Sequence, residues 1–117
     1  MHDFQVLDII IATVARVAGL KRPEELKARK RHPALVKLRD TVCFLARKKT
    51  GLSYPEIGRV FWGRDHSTIL AAVKREQMRL DRQLRHSSNR TWGEWHAFLI
   101  CEIDKAIEAA APAHLPN

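Results

Sequence analysis

The chain has 117 residues, 45% of them apolar, which suits a single domain with a real core and argues against a disordered segment. Its 21 Lys and Arg against 13 Asp and Glu leave a net charge of +8, pointing to a polyanionic partner. No apolar run reaches the roughly eighteen residues of a membrane span, and Cys43 and Cys101, the two cysteines, are too far apart for a disulfide framework or a zinc site built on cysteine pairs. Met1 is followed by an acidic, amphipathic segment rather than a signal peptide, so the cytoplasm, near the nucleoid, is the expected location.

Helical periodicity runs through the sequence. Phe4, Leu7, Ile10, Ile11, Val14 and Ala18 recur at three- and four-residue steps, with Gly19 placed to cap that helix and Pro23 just beyond. Glu24 to Leu26 make a short turn ahead of the basic run Lys27-Ala28-Arg29-Lys30-Arg31. Pro33 suits the first turn of the next helix, where its missing N–H is not needed. Leu35, Leu38, Val42, Leu45 and Ala46 carry that helix to the basic cluster Arg47-Lys48-Lys49 and to Gly51. Ser53-Tyr54-Pro55-Glu56 has the form of a capping box and opens a short helix through Ile57, Val60 and Phe61. After the tight turn Gly63-Arg64, Asp65 is the expected N-cap of a long helix reaching about Arg85, with Ile69, Ala72, Val73, Leu80 and Leu84 inward. A polar break over residues 86–90 precedes a second capping box, Thr91-Trp92-Gly93-Glu94, and a last helix carrying Trp92, Trp95, Leu99, Ile103 and Ile107. Strand alternation and hairpin dipeptides are absent. The expectation is an all-α fold of five or six helices: a helix-turn-helix domain over residues 1–90, and a helical extension over 91–117 packed on it, frayed from about 112.

Residues 21–90 hold +12 of charge between two weakly acidic ends, which reads as an electrostatic footprint for nucleic acid rather than as scattered solvated helix faces. A helix, a turn with glycine and a second helix that begins with polar side chains is the helix-turn-helix pattern, whose second helix lies in the major groove. Here the opening residues are Arg64, Asp65, His66, Ser67 and Thr68. Arg64 can donate twice to guanine O6 and N7, and Asp65 can accept from a cytosine amino group. His66 and Ser67 can hydrogen-bond a base edge, and the Thr68 methyl can pack on a thymine methyl.

The string Leu52-Ser53-Tyr54-Pro55-Glu56-Ile57-Gly58, followed by Gly63-Arg64-Asp65-His66-Ser67-Thr68, resembles the signature of the C-terminal DNA-binding domain of the bacterial replication initiator DnaA family. The resemblance covers about Arg29 to Glu76, and more loosely residues 1 to 85; Arg39 and Leu45-Ala46-Arg47 agree with it upstream. It implies that family's helix-turn-helix fold, similar to that of Trp repressor. It implies base reading by Asp65, His66, Ser67 and Thr68, with Arg64 beside them and Pro55 near a thymine methyl. It also implies that Arg31, in the basic segment, enters the adjacent minor groove, where a narrow A·T-rich stretch has enhanced negative potential. Lys30, Arg39, Arg47, Lys48, Lys74 and Arg75 then become phosphate contacts that set register. The family's nonamer, TTATnCACA, is the expected class of site. Tyr54 replaces a usual leucine, Trp62 a usual glycine and Ala71 a frequent histidine; the first two bear on preference within that site.

No Gly-x-x-x-x-Gly-Lys-Ser/Thr loop occurs, so ATP-driven melting is not carried by these residues. Asp65-His66-Ser67 cannot converge as a hydrolytic triad, because neighbours on a helix point about 100° apart. The spacing of His86, His96 and Cys101 matches no zinc pattern. The expectation is therefore no enzyme activity, cofactor or metal. Double-stranded DNA, and not a membrane, is the expected partner, with regulation of transcription or replication as the role. Two readings from other classes remain open: an adaptor whose helix over residues 91–110 binds a replication or transcription protein through Trp92 and Trp95, and a basic amphipathic surface for acidic lipid. At helical spacing, Trp92, Trp95 and Phe98 read first as core.

Overall fold

The structure, a computed structural model, describes residues 1–29, 31–61, 63–86 and 90–111. Lys30, Trp62, residues 87–89 and the tail from 112, expected to fray, lie outside the described residues. Six helices follow one another: α1 Asp3–Val17, α2 Glu24–Lys27, α3 Pro33–Lys49, α4 Tyr54–Val60, α5 His66–Asp81 and α6 Trp92–Ala110. Among the described residues there is no strand, only an antiparallel bridge between Arg85 and Thr91.

Local chemistry explains most of the boundaries. Pro33 stands at N1 of α3, and the His32 ring accepts from the Ala34 N–H. At α4 the capping box is closed in both directions, Ser53 Oγ accepting from Glu56 N–H and Glu56 Oε1 accepting from Ser53 N–H at 2.9 Å. At α6, Thr91 Oγ1 accepts from Glu94 N–H, but the Glu94 carboxylate meets the Thr91 hydroxyl instead of the backbone. Helix α1 ends where Gly19 takes φ +79°, its N–H bonding Arg16 O while Leu20 N–H bonds Ala15 O.

Helix α5 is shorter than expected. It closes with the same pair of bonds, Gln83 N–H to Leu80 O and Leu84 N–H to Arg79 O, but with Gln83 at φ 47° in the left-handed position. The chain must reverse there so that Trp92 N–H can reach Leu84 O at 2.6 Å and start α6. Leu84, expected inward, is consequently 45% exposed.

The core forms where α3 crosses α5 and α1, with α4 against α5 and α6 along α1. Leu7, Ile10, Ile11 and Val14 meet Val42, Leu45, Ala46, Leu99 and Ile103 in one buried cluster. Phe4 and Ala18, at the ends of the α1 stripe, stay exposed. Trp92 and Trp95 are buried and belong to this core.

Inside it lies a polar network that the apolar pattern does not announce. Glu76, fully buried on α5, accepts from Thr41 Oγ1 of α3 at 2.6 Å and from Arg79 at 2.9 Å, and its Oε2 lies 2.6 Å from His96 Nε2 of α6. Arg79 also bonds Asp40, and Arg75 grips the same buried carboxylate through Nε and Nη2. Burial works to raise the Glu76 pKa, but the hydrogen bonds from His96, Thr41 and Arg79 outweigh it and hold it below the ordinary carboxylate value. Exposed pairs, Arg16 with Glu102 and Lys49 with Asp104, add little to the seating of α6.

Glu76→Ala should lower the unfolding free energy in urea by about 3–5 kcal/mol, because it leaves buried partners unpaired. Since the folded pKa of Glu76 is depressed, its contribution is intact above the unfolded value and lost as pH falls through the folded one. The stability gap between wild type and Glu76→Gln should therefore narrow only in acid. Gln83→Gly should stabilise by about 1 kcal/mol, seen as a rise in Tm, by relieving the left-handed backbone at the end of α5.

Candidate nucleic-acid interface

The turn between α4 and α5 is set by a close approach of two backbone segments. Phe61 N–H and Arg64 N–H both bond to Gly58 O. A Cβ on Gly58 would stand 2.2 Å from the carbonyl oxygen of Arg64, so only glycine lets the two helices meet at this angle. Gly63, at φ +63°, completes the turn.

Beyond it, Ile69 and Ala72 face the core, and the first turn of α5 stands in solvent. Asp65, His66, Ser67 and Thr68 are all exposed, with Arg64 half-buried beside them. Asp65 holds the N-cap position as expected, but its carboxylate faces side chains: it accepts from Ser67 Oγ at 2.8 Å and pairs with His66 Nδ1 at 2.9 Å. The Ser67 hydroxyl, first, and the His66 ring keep the Asp65 pKa below its ordinary value. Asp65, His66 and Ser67 are thus already paired among themselves.

The basic residues divide into two groups. Arg31, Lys48 and Lys74 are exposed, and Lys30 lies outside the described residues. Pro55 is exposed on the first turn of α4. Arg39, expected on phosphate, is a correction: it is 5% exposed, with Nε donating to Leu26 O at 2.6 Å and Nη2 donating to Ala28 O. Burial, and then the nearby charge of Arg64, lower its pKa from the usual arginine value. Arg39 therefore ties the chain just before Arg31 to the side of α3 on which Arg64 lies. Arg47 and Arg75 also have structural partners. Arg47 donates to Leu52 O at 2.6 Å and sits 4.4 Å above the Tyr54 ring, which fixes the start of α4. Arg75 is clamped on Asp40 yet keeps 47% of its side chain exposed.

Sequence reasoning passed over Glu76, Asp40 and Thr41, and weighed His96 only as a metal ligand. The one signal available was position: Glu76 falls on the inner stripe of α5 with Ile69 and Ala72, and His96 on that of α6 with Leu99 and Ile103. Buried Cys43, its thiol pushed up to about 12 chiefly by burial, is core. Among the described residues, no group of three or more His, Cys, Asp or Glu is placed to hold a metal ion.

Comparison with known proteins agrees with this geometry. The family described as "Bacterial dnaA protein helix-turn-helix" matches residues 7–75. The chromosomal replication initiator protein DnaA of Thermus thermophilus is 46% identical over 68 residues, which is 58% of this chain and 15% of that protein. That of Geobacter sulfurreducens is 48% identical over 65 residues, 54% of this chain and 15% of its own. That of another Geobacter strain is 41% identical over 83 residues, 69% of this chain and 18% of its own. The chain thus spans less than a fifth of the length of these curated relatives. No solved structure matches it.

Because Gly58 has no room for a methyl group, Gly58→Ala should cost more than about 2 kcal/mol in urea unfolding. At Gly63, where the space is open and only the positive φ resists a side chain, alanine should cost about 1 kcal/mol.

Proposed function

The chain belongs to the bacterial DnaA helix-turn-helix family, and from that premise we propose that it binds double-stranded DNA selectively at sites of the DnaA-box class, TTATnCACA. It does so as a regulator of transcription or replication on the bacterial chromosome. The observation that carries this reading is the exposed first turn of α5, Asp65 to Thr68, held at a fixed angle by the Gly58–Arg64 contact. A helix presented in this way can enter the major groove with its N-terminal side chains against base edges.

In this reading Asp65, His66 and Ser67 exchange the bonds among them for base edges, Thr68 meets a base edge directly, and Arg64 reaches a guanine. Arg31 enters the neighbouring minor groove, from a segment positioned by Arg39. Lys48, Lys74 and the exposed part of Arg75 take phosphates, as does Lys30. Arg47 acts through Tyr54 and Pro55, by holding the start of α4 against the duplex. The adaptor reading has less to stand on: Trp92 and Trp95, the side chains it would use, are each 5% exposed.

Selection of bound duplexes from a random library should recover one preferred site. Against that site and a scrambled duplex in gel-shift titration, Arg31→Ala and His66→Ala should each weaken specific binding by about 10- to 100-fold and change non-specific binding little. Arg39→Lys, which keeps the charge but loses the planar fork, should weaken specific binding in the same way and add little to Arg31→Ala. Wild-type discrimination in Arg31→Ala and His66→Ala would refute the reading.

A further inference from the structure

A groove of about 860 Å³ opens where α1 ends, α3 begins and the chain passes from α5 to α6. Arg16, Lys37, Arg85 and Arg90 line it, and no carboxylate does among the described residues, although Arg16 also pairs with Glu102 of α6 at 3.2 Å. Three separate parts of the chain supply these cations: Arg16 comes from α1, Lys37 from α3, and Arg85 and Arg90 from the α5–α6 connection. All four are exposed. Arg85 and Arg90 lie beyond residues 7–75, the stretch that matches the family.

The aromatic residues in the wall brace this rim. The His86 ring stacks on Trp95 at 4.1 Å and 7°, and the Arg90 guanidinium lies 5.1 Å from the centre of the Phe98 ring. A long, open rim of exposed cations suits a chain of phosphates better than a compact ligand, which would need an enclosed cavity with a few converging polar groups. The groove is also continuous with the surface already described, because His32 and Pro33 of its wall directly follow Arg31.

We propose that this groove is a second contact surface for the same duplex: it takes the phosphate backbone flanking the recognised site, on the side where Arg31 enters the minor groove. The footprint is then longer than α5 and the Arg31 segment alone would give. The inference rests on the DNA-binding reading above, and the two can fail separately.

The test uses the duplex recovered by selection in three forms: the site alone, the site extended at one end, and the site extended at the other. The end nearer Arg31 is the one whose minor-groove protection is lost in Arg31→Ala. Wild type should bind the duplex extended at that end about tenfold more tightly than the site alone, and extension at the other end should gain nothing. Lys37→Ala/Arg90→Ala should lose that gain while binding the short duplex as wild type does. On the long duplex its log K against log salt slope should be shallower by about 1.8, for two phosphates at about 0.9 each. Because Arg90 braces the approach to α6, Lys37→Glu on the exposed face of α3 serves as an independent variant and should lose the gain as well. Specific binding to the short duplex with no gain from extension, or a gain that survives both variants, would overturn the groove proposal and leave the DNA reading standing. Failure of wild type to prefer any duplex would overturn both.

Discussion

Two carboxylates without access to water, Asp40 on α3 and Glu76 on α5, constrain everything around them. An uncompensated buried charge costs several kcal/mol, so each must meet its donors wherever the helices settle. Asp40 takes Arg75 and Arg79; Glu76 takes Thr41, Arg79 and His96. These bonds need α3, α5 and α6 in one register. Apolar packing alone tolerates sliding and repacking, whereas a shift by one turn here would strand a charge. The tip of α5 owes its fixed place to this register at one end and to the Gly58–Arg64 contact at the other.

The pattern of charge looks different once its directions are known. Composition counts Arg39, Arg47, Arg75 and Arg79 together with Arg31, Lys48 and Lys74, and a net positive block results. In the fold the first four grip carbonyls, a ring or buried carboxylates, and the last three stand in solvent. Part of the basic character is therefore scaffold. Arg39 gives its donors to the backbone of Leu26 and Ala28, the latter three residues ahead of the exposed Arg31.

Much of the fold was legible in the sequence. Leu7, Ile10, Ile11 and Val14 announce one buried helix face, Pro33 announces a helix start, and Ser53 with Glu56 announces another; each signal is local, within a few residues. The candidate site was legible for the same reason, as the glycines, Asp65 and the polar turn after it are contiguous. What escaped depends on partners far along the chain. His96 and Thr41 lie 20 and 35 positions from Glu76, and nothing near Glu76 says that they will be there. The end of α5 escaped because Gln83 occupies a position that usually advertises itself as glycine.

The bonds among Asp65, His66 and Ser67 bear on how the tip would tell one base pair from another. Side chains already satisfied by each other are held in few rotamers, so little conformational freedom is lost when a duplex arrives. On the reading proposed above, a correct base edge would replace each internal bond with an external one, an exchange close to balanced. A wrong edge would break the internal bonds and return nothing for them, leaving desolvated polar atoms on both sides. Fidelity at such a tip would come from what mismatched partners forfeit, and the resting hydrogen bonds of the free protein would set the size of that forfeit.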